Sequence, residues 1–479
     1  MEQIPRAEVL ARLRLENPWW APPHEVPATY SRWNPRPYLG IFYPLLVNRE
    51  VRRAIVLMGP RRVGKTFLIH HAIDRLIHDE NVPPKRICYV SIDNPIYLHL
   101  SLEQVLALFS EATGTNVSVD ESYVFFDEIQ YLRAWEVHLK SLVDTFPNVK
   151  SVASGSAAAA LRLKSNESGA GRFTDFLLPP VMFYEYLVLK GEEGLVQVGG
   201  PPESRTFSTP DIGELNSKFV HYLNFGGYPE VIFSKAIQED PGRFIKNDIV
   251  DKVLLRDLPS LYGIQDIQEL NSLFTSLAYN TAQELTLEDL ATKSGVAKPT
   301  IKRYIEYLEA AFLIRTVRRI DQDARHFKRA RNFKVYLANS SMRTALFSPL
   351  ESSDNRIGAL VETGIFSQWF HSQTVDRLHY ARWKEGEVDI VSLNRQEKPQ
   401  FAVEVKWSDR YCTRPTELTE PLMFCRKNDL SRLTVTTQTK EETQLILGVM
   451  VRFRPAALYA FTLGYNIILM KKRAQAAEP

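Results

Sequence analysis

Two groups of residues in this chain have the types and the spacing to do chemistry. The first is the run Gly59, Pro60, Arg61, Arg62, Val63, Gly64, Lys65 and Thr66, which fits the pattern GxxxxGK[ST] at each fixed position. Glycines there let the backbone wrap so that its N–H groups and the N-terminus of the next helix face an anion. Lys65 neutralises phosphate charge and Thr66 can ligate Mg2+, so the whole run from Gly59 to Thr66 is a candidate cradle for ATP and its metal ion. About 60 residues further on, SYVFFDEIQ reads as a buried strand ending in Asp127, a second partner for Mg2+, followed by Glu128, a general base for the attacking water. Gln130 either helps to set that water or is a surface residue at a helix start.

The second group lies near the C-terminus. In QFAVEVKWS, side chains alternate, so Phe401, Val403, Val405 and Trp407 share one face while Glu404 and Lys406 share the other. In GEVDIVSL, Asp389 stands between Val388 and Ile390, and the helix IGALVETGIFSQWF upstream contributes Glu362. Charges set among Val and Ile on short central strands are expensive unless they hold a metal ion or each other. The alternatives are therefore a site for Mg2+ or Mn2+ or a salt-bridged cluster, Glu404 with Lys406 or Lys384.

These groups need elements to hold them. AIVLM, then GPRRVGKT, then FLIHHAIDRLIHD is strand, turn, helix, and further runs (RICYVSI, SYVFFDE, VKSVASG) alternate with helical segments. That alternation predicts a parallel α/β sheet over residues 51–190. Before it, residues 1–50 hold a lead rich in Trp, Pro and Tyr, read as an extended arm packed on a domain because its prolines oppose a long helix. After it, 191–214 reads as a loop or linker, 215–284 as helical, 285–335 as a winged helix-turn-helix with a basic run, and 336–479 as a mixed segment with alternating strands. In the helix-turn-helix, Leu287, Leu290 and Ala291 face inward, Ser294-Gly295 makes the turn, and Thr300, Ile301, Tyr304 and Leu308 line the second helix. Lys298, Lys302 and Arg303 would fall where nucleic acid is contacted. Residues 315–334 hold eight Lys or Arg (Arg315, Arg318, Arg319, Arg325, Lys328, Arg329, Arg331, Lys334) against Asp321 and Asp323, a local +6. The whole chain is only +3, so positive charge is focused there, either for DNA or another nucleic acid or as a solvated face.

Composition narrows the class. With 479 residues, 44% hydrophobic and 24% charged, the chain is that of a globular protein of several domains, not a disordered or fibrous one. Three scattered cysteines, no export signal and no run of about 18 apolar residues predict a soluble, cytoplasmic protein without a membrane segment. The ten histidines show no ligand spacing for zinc. A homo-oligomer or a protein partner stays open.

The run GPRRVGKT, FFDEIQ, SGS, ESGAGR leading to FYEYL, FGGYPEVI, DIVDKVLLRD, EVDIV and AVEVK resembles a prokaryotic family of AAA-type P-loop ATPases. The C-terminal part of that family looks like a PD-(D/E)xK nuclease of the archaeal Holliday-junction-resolvase type. The resemblance spans about residues 40–410. It implies a P-loop domain, a winged-helix middle and an α/β restriction-endonuclease-like domain. It places Ser154 and Ser156 where a polar residue senses the γ-phosphate, and Arg172 as an arginine finger or lid contact, with a surface salt bridge as the alternative. Glu362, Asp389, Glu404 and Lys406 match the E, D, ExK set that holds Mg2+ or Mn2+ and cuts nucleic acid. Three functions follow: an ATPase coupled to a nucleic-acid-cutting domain, an ATP-gated DNA-binding or scaffold protein with an inactive nuclease fold, or an ATPase switch for a protein partner.

Overall fold

A computed structural model describes residues 5–155, 171–202, 204–325, 332–372 and 374–476. The chain divides into two compact units, Met1–Pro179 with Met470–Pro479, and Pro180–Leu469. Among the described residues no helix is long and apolar enough to cross a membrane.

The first unit is built on a parallel sheet of β1 (Ala54–Met58), β2 (Ile87–Ser91), β3 (Ser122–Asp127), β4 (Val149–Gly155) and β5 (Phe173–Leu177) in the order β2-β3-β4-β1-β5. All residues of β1, β3 and β4 are buried, which is why these strands read as unbroken apolar runs. The sheet is α/β as expected, with helices α4 (Lys65–His78), α5 (Leu102–Thr113) and α6 (Trp135–Thr145) between its strands. In β1 and β4 the register Leu57↔Ser154 sets Ser154 beside the strand that leads into the phosphate loop.

The N-terminal lead differs from the extended arm expected. It forms α1 (Arg6–Glu16), α2 (Ala28–Ser31) and α3 (Leu39–Val47). Most of its prolines lie between these helices, where a missing N–H and a fixed φ cost nothing. The segment closes the open edge of the sheet. β2 is an edge strand, and its outward backbone groups fall on alternate residues, Ile87, Tyr89 and Ser91. The indole N–H groups of Trp19 and Trp20 both donate to the Ile87 carbonyl, at 3.1 and 2.7 Å. Asn17 donates to the Tyr89 carbonyl at 2.8 Å and accepts from its N–H at 2.6 Å. The Ser91 N–H donates to Glu16 at 3.5 Å. Side chains thus replace the missing neighbour strand and block edge-to-edge pairing.

In the second unit, the described residues form a nine-stranded mixed sheet in the order β15-β16-β14-β13-β12-β11-β9-β10-β8. The strands are β8 (Glu284–Thr286), β9 (Ile314–Ile320), β10 (Asn332–Leu337), β11 (Leu378–Arg382), β12 (Glu387–Leu393), β13 (Pro399–Glu404), β14 (Arg432–Thr437), β15 (Glu442–Ile446) and β16 (Val449–Pro455). Where a loop was expected at 191–214, β6 (Gln197–Gly199) and β7 (Thr206–Ser208) pair as a short antiparallel hairpin. The helix-turn-helix forms from Leu287–Ser294, capped by Thr286 and ended by Gly295 at φ 73°, and Lys298–Ala310, opened by Pro299. Leu290, Ile301, Tyr304, Ile305 and Leu308 are buried in its core. Its strands do not stand apart: β9 pairs in parallel with β11, so the wing and the C-terminal strands share one sheet.

Asn17 is 1% exposed, so Asn17→Ala leaves a buried N–H and C=O of Tyr89 unpaired, at about 1–3 kcal/mol. Urea unfolding is expected to show that loss. Unchanged stability would mean the edge does not need its cap.

Candidate functional site

Gly59 opens the phosphate loop where the chain crowds: a Cβ there would lie 2.2 Å from the Leu178 carbonyl oxygen. At the other end Gly64, at φ 92°, turns the backbone into α4. Lys65 donates to the carbonyls of Gly59 and Pro60 at 3.0 and 2.9 Å. Arg36, 5% exposed, reaches from the N-terminal segment to donate to the Val63 carbonyl at 2.8 Å and the Pro179 carbonyl at 3.0 Å. The loop conformation is thus held by a residue outside the motif.

Asp127 ends β3 at 2% exposure and collects donors from three other elements. Thr66 donates to its Oδ2 at 2.6 Å and Tyr89 at 2.9 Å, and Ser154 donates to its Oδ1. A hydroxyl and a carboxylate in contact beside a phosphate loop are a fitting pair for Mg2+. Glu128 follows in the left-handed region at φ 54°, and Gln130 donates to its carboxylate. Behind the site His70 is buried, bonded through Nδ1 to the Thr66 carbonyl at 2.8 Å and stacked on Tyr30 at 3.7 Å. Burial pushes its pKa down to about 4, so it is neutral packing and no proton carrier at neutral pH.

Arg172 is not brought to this loop. Its carbonyl accepts from the Ala54 N–H at 2.9 Å, at the start of β1, whereas the loop leaves the far end after Met58. Its side chain pairs with Asp144 at 3.1 Å on the surface. That pair is the surface salt bridge of the alternative reading. Ser156 lies outside the described residues.

In the second unit Glu362, Asp389, Glu404 and Lys406 come together. The β12–β13 register Ile390↔Val403, carried one step on, sets Asp389 opposite Glu404. Lys406 bridges them, 2.6 Å from Glu404 Oε1 and 3.7 Å from Asp389 Oδ2. It is fixed past the strand end by Thr436, whose hydroxyl donates to the Lys406 carbonyl and accepts from its N–H, both at 2.7 Å. The Val405 N–H donates to Asp389 Oδ2 at 2.9 Å. Glu362 sits on the helix Ile357–Trp369, which Gly364 lets lie tight on the helix Ile212–Phe225: a Cβ there would meet Leu223 at 2.1 Å.

One more cation belongs to the cluster. Lys334 of β10, 3% exposed, lies 2.9 Å from Glu362, 2.5 Å from Glu387 and 3.4 Å from Asp389. Tyr336, two residues on and so on the same face, donates to Glu362 at 2.7 Å. The basic run is therefore not one solvated face. Arg315 pairs with Asp376, and Arg319 donates to the Arg382 carbonyl at 3.0 Å. Arg318 and Arg325 are exposed, and Lys328, Arg329 and Arg331 lie outside the described residues. Lys298 pairs with Glu288 at 2.9 Å, while Lys302 and Arg303 are exposed on the second helix.

Residues 51–187 match a protein family described as AAA domain. Residues 51–187 are an AAA-type P-loop ATPase domain. Residues 216–354 match a family described only as a domain of unknown function, DUF8612. The chain is 22% identical over 359 residues to the uncharacterized protein MJ1544 of Methanocaldococcus jannaschii, covering 72% of this chain and 75% of that protein. It is 26% identical over 285 residues to MJ1637 of the same organism, covering 56% and 57%. Among solved structures it is similar to the Walker-type ATPase PABY2304 of Pyrococcus abyssi, with TM-score 0.38 and 17% identity over 68% of this chain and 99% of that one. It is also similar to the ORC2 protein of Aeropyrum pernix with ADPNP and ADP, with TM-score 0.36 and 13% identity over 62% and 90%.

Outside the ATPase domain, the carboxylates of the second cluster are under electrostatic tension. Burial, and then the charge of Asp389, push Glu404 up to about 8 and Glu362 up to about 7. Burial also raises Asp389, but Lys406, Lys334 and the Val405 N–H together outweigh it and hold it below its ordinary value. Glu404 Oε2 is buried without a hydrogen-bond partner. That orphaned oxygen fits a cation. Yet among the described residues no three His, Cys, Asp or Glu side chains form a ready ligand set, and two ammonium groups stand among the carboxylates.

The sign of the linkage follows. Two carboxyls with folded pKa values above the ordinary 4.5 keep protons that the unfolded chain has lost, so stability falls as pH rises from about 4.5 towards about 8. Each fully titrating group contributes up to about 1.4 kcal/mol per pH unit. In EDTA, Glu404→Gln is expected to flatten that decline in the melting temperature of the second unit. An equal slope in the variant would contradict the assignment.

Proposed function

We propose that this protein hydrolyses ATP in its first unit and that its second unit is a Mg2+- or Mn2+-dependent phosphodiesterase acting on nucleic acid, delivered by the winged helix. Lys65 draws charge from the β- and γ-phosphates, and Thr66 with Asp127 would hold the metal ion. Glu128 takes the proton of the water that attacks the γ-phosphate, steadied by Gln130. Ser154, on the other oxygen of Asp127, would respond to the γ-phosphate. In the second unit Asp389, Glu404 and Glu362 would hold the metal, and Lys406 steadies the attacking oxygen or the charge building on the phosphate. Bound Mg2+ supplies charge neutralisation at phosphoryl oxygens and a more acidic water.

The observation that carries the second activity is Lys406 bridging Asp389 and Glu404 from adjacent strands, with the Glu404 Oε2 oxygen left unpartnered. A second reading, an ATP-gated nucleic-acid-binding or scaffold protein with an inactive nuclease fold, is favoured by Lys334 and Lys406, which already compensate the carboxylates.

Lys65→Ala is expected to abolish nucleotide binding, while Glu128→Gln keeps binding and slows turnover by roughly 100-fold or more, because Glu128 acts only on the water. Nucleotide affinity and turnover, measured on both, decide it; equal loss of affinity would contradict this division of roles. With Mn2+, nicked, branched and single-stranded DNA and RNA should be cut by the full chain, and Asp389→Ala should end cutting while nucleotide affinity persists. Survival of all these substrates would leave the scaffold reading.

A further inference from the structure

Lys334 is the residue whose position its sequence neighbourhood least explains. It ends a basic run, yet its ammonium is buried and touches three carboxylates, Glu362 on a helix and Glu387 and Asp389 on β12, at 2.9, 2.5 and 3.4 Å. A single cationic atom ringed by carboxylate oxygens from separate elements is held as a metal ion would be held. The carboxyl groups also outnumber the cations. Glu362, Glu387, Asp389 and Glu404 face Lys334 and Lys406, with Arg382 reaching only the outer oxygen of Glu387 at 3.3 Å. Independently of these contacts, Glu404 is 6% exposed and its Oε2 has no partner, so one carboxylate oxygen opposite Asp389 is left for a further cation.

We propose that Lys334 is a tethered cation that competes with a divalent metal ion for Glu362 and Asp389, so that metal enters this site only as the ammonium leaves it. This rests on the reading above that these carboxylates are metal ligands, and adds what controls them. Asp389 already carries Lys334 on Oδ1 and Lys406 on Oδ2, so a divalent ion seated on the same carboxylates would meet the repulsion of the Lys334 ammonium a few ångströms away. The tether matters because Lys334 lies on β10, which pairs with β8 and β9 of the winged helix. A turn of the Lys334 side chain on that strand would withdraw the ammonium, and the carboxylates, deprived of it, would take up a metal ion.

The test is calorimetric titration of Mn2+ into the nucleotide-free full chain: wild type, Lys334→Met, Lys334→Gln and Lys334→Arg. Asp389→Asn identifies heat that belongs to this site and not to Thr66 and Asp127. Removing the competing charge in Lys334→Met and Lys334→Gln is expected to tighten Mn2+ binding at least tenfold, while Lys334→Arg stays near wild type. Lys334→Gln keeps hydrogen bonds to the carboxylates and decides the matter if Lys334→Met does not fold. Equal or weaker binding in the folded neutral variants would overturn the proposal, since a lysine that merely positions the ligands should weaken the site when lost. A tenfold gain without nucleic-acid cleavage would uphold the competition and sink the nuclease reading. Cleavage without the gain would do the reverse, and no site-specific heat in any variant would sink the competition outright.

Discussion

Asp127 and Asp389 each lie on a strand inside a sheet at 2% and 6% exposure, and a carboxylate so placed must be compensated by whatever packs around it. In the first unit the compensation is by neutral donors: a hydroxyl from α4, a phenol from the edge strand β2 and a hydroxyl from β4. In the second it is by charge, through Lys334 from the wing and Lys406 from beyond β13. The difference has chemical consequences. Hydroxyls can stay in place and share a metal ion with the carboxylate, whereas ammonium groups compete with it.

The same need explains features that look unrelated to any site. Tyr89 can serve Asp127 only if β2 keeps its register at the rim of the sheet, and there the N-terminal segment stands in for a sixth strand through Asn17, Trp19 and Trp20. Arg36, from the same segment, clamps the loop carbonyl of Val63. A lead that contributes no motif residue thus fixes the backbone on which the motif works. In the second unit, the parallel pairing of β9 with β11 is what lets a wing residue reach the carboxylates of β12 at all.

The legible parts of the sequence were those whose residues are neighbours in the chain or follow one strand's alternation. Gly59 to Thr66, Asp127 and Glu128 are fixed by a loop between one strand and one helix and by the end of another strand. Glu404 and Lys406 follow from period-two alternation. Glu362 and Asp389 were reached only through family resemblance and the oddity of charge among Val and Ile. Tyr89, Arg36 and Lys334 were not legible, because their contacts span 38, 27 and 55 residues. For Lys334 the reason is physical: in a basic run, charge alone suggests nucleic acid or solvent, and only pairing with three acids offsets the cost of burial. Arg172 stays open from sequence because a motif-like string does not say at which end of a strand it falls.

The most direct measurement is a crystal structure of the full chain grown with Mn2+ and a non-hydrolysable ATP analogue, with manganese located by anomalous scattering. Buried carboxylates poised for cations predict two peaks. One should lie beside Thr66 and Asp127 against the phosphates, and the other between Asp389 and Glu404, with the Lys334 ammonium drawn away from Asp389. A map at saturating Mn2+ with density at the first place alone, and with Lys334 still on Glu362 and Asp389, would contradict the metal-dependent role proposed for the second unit.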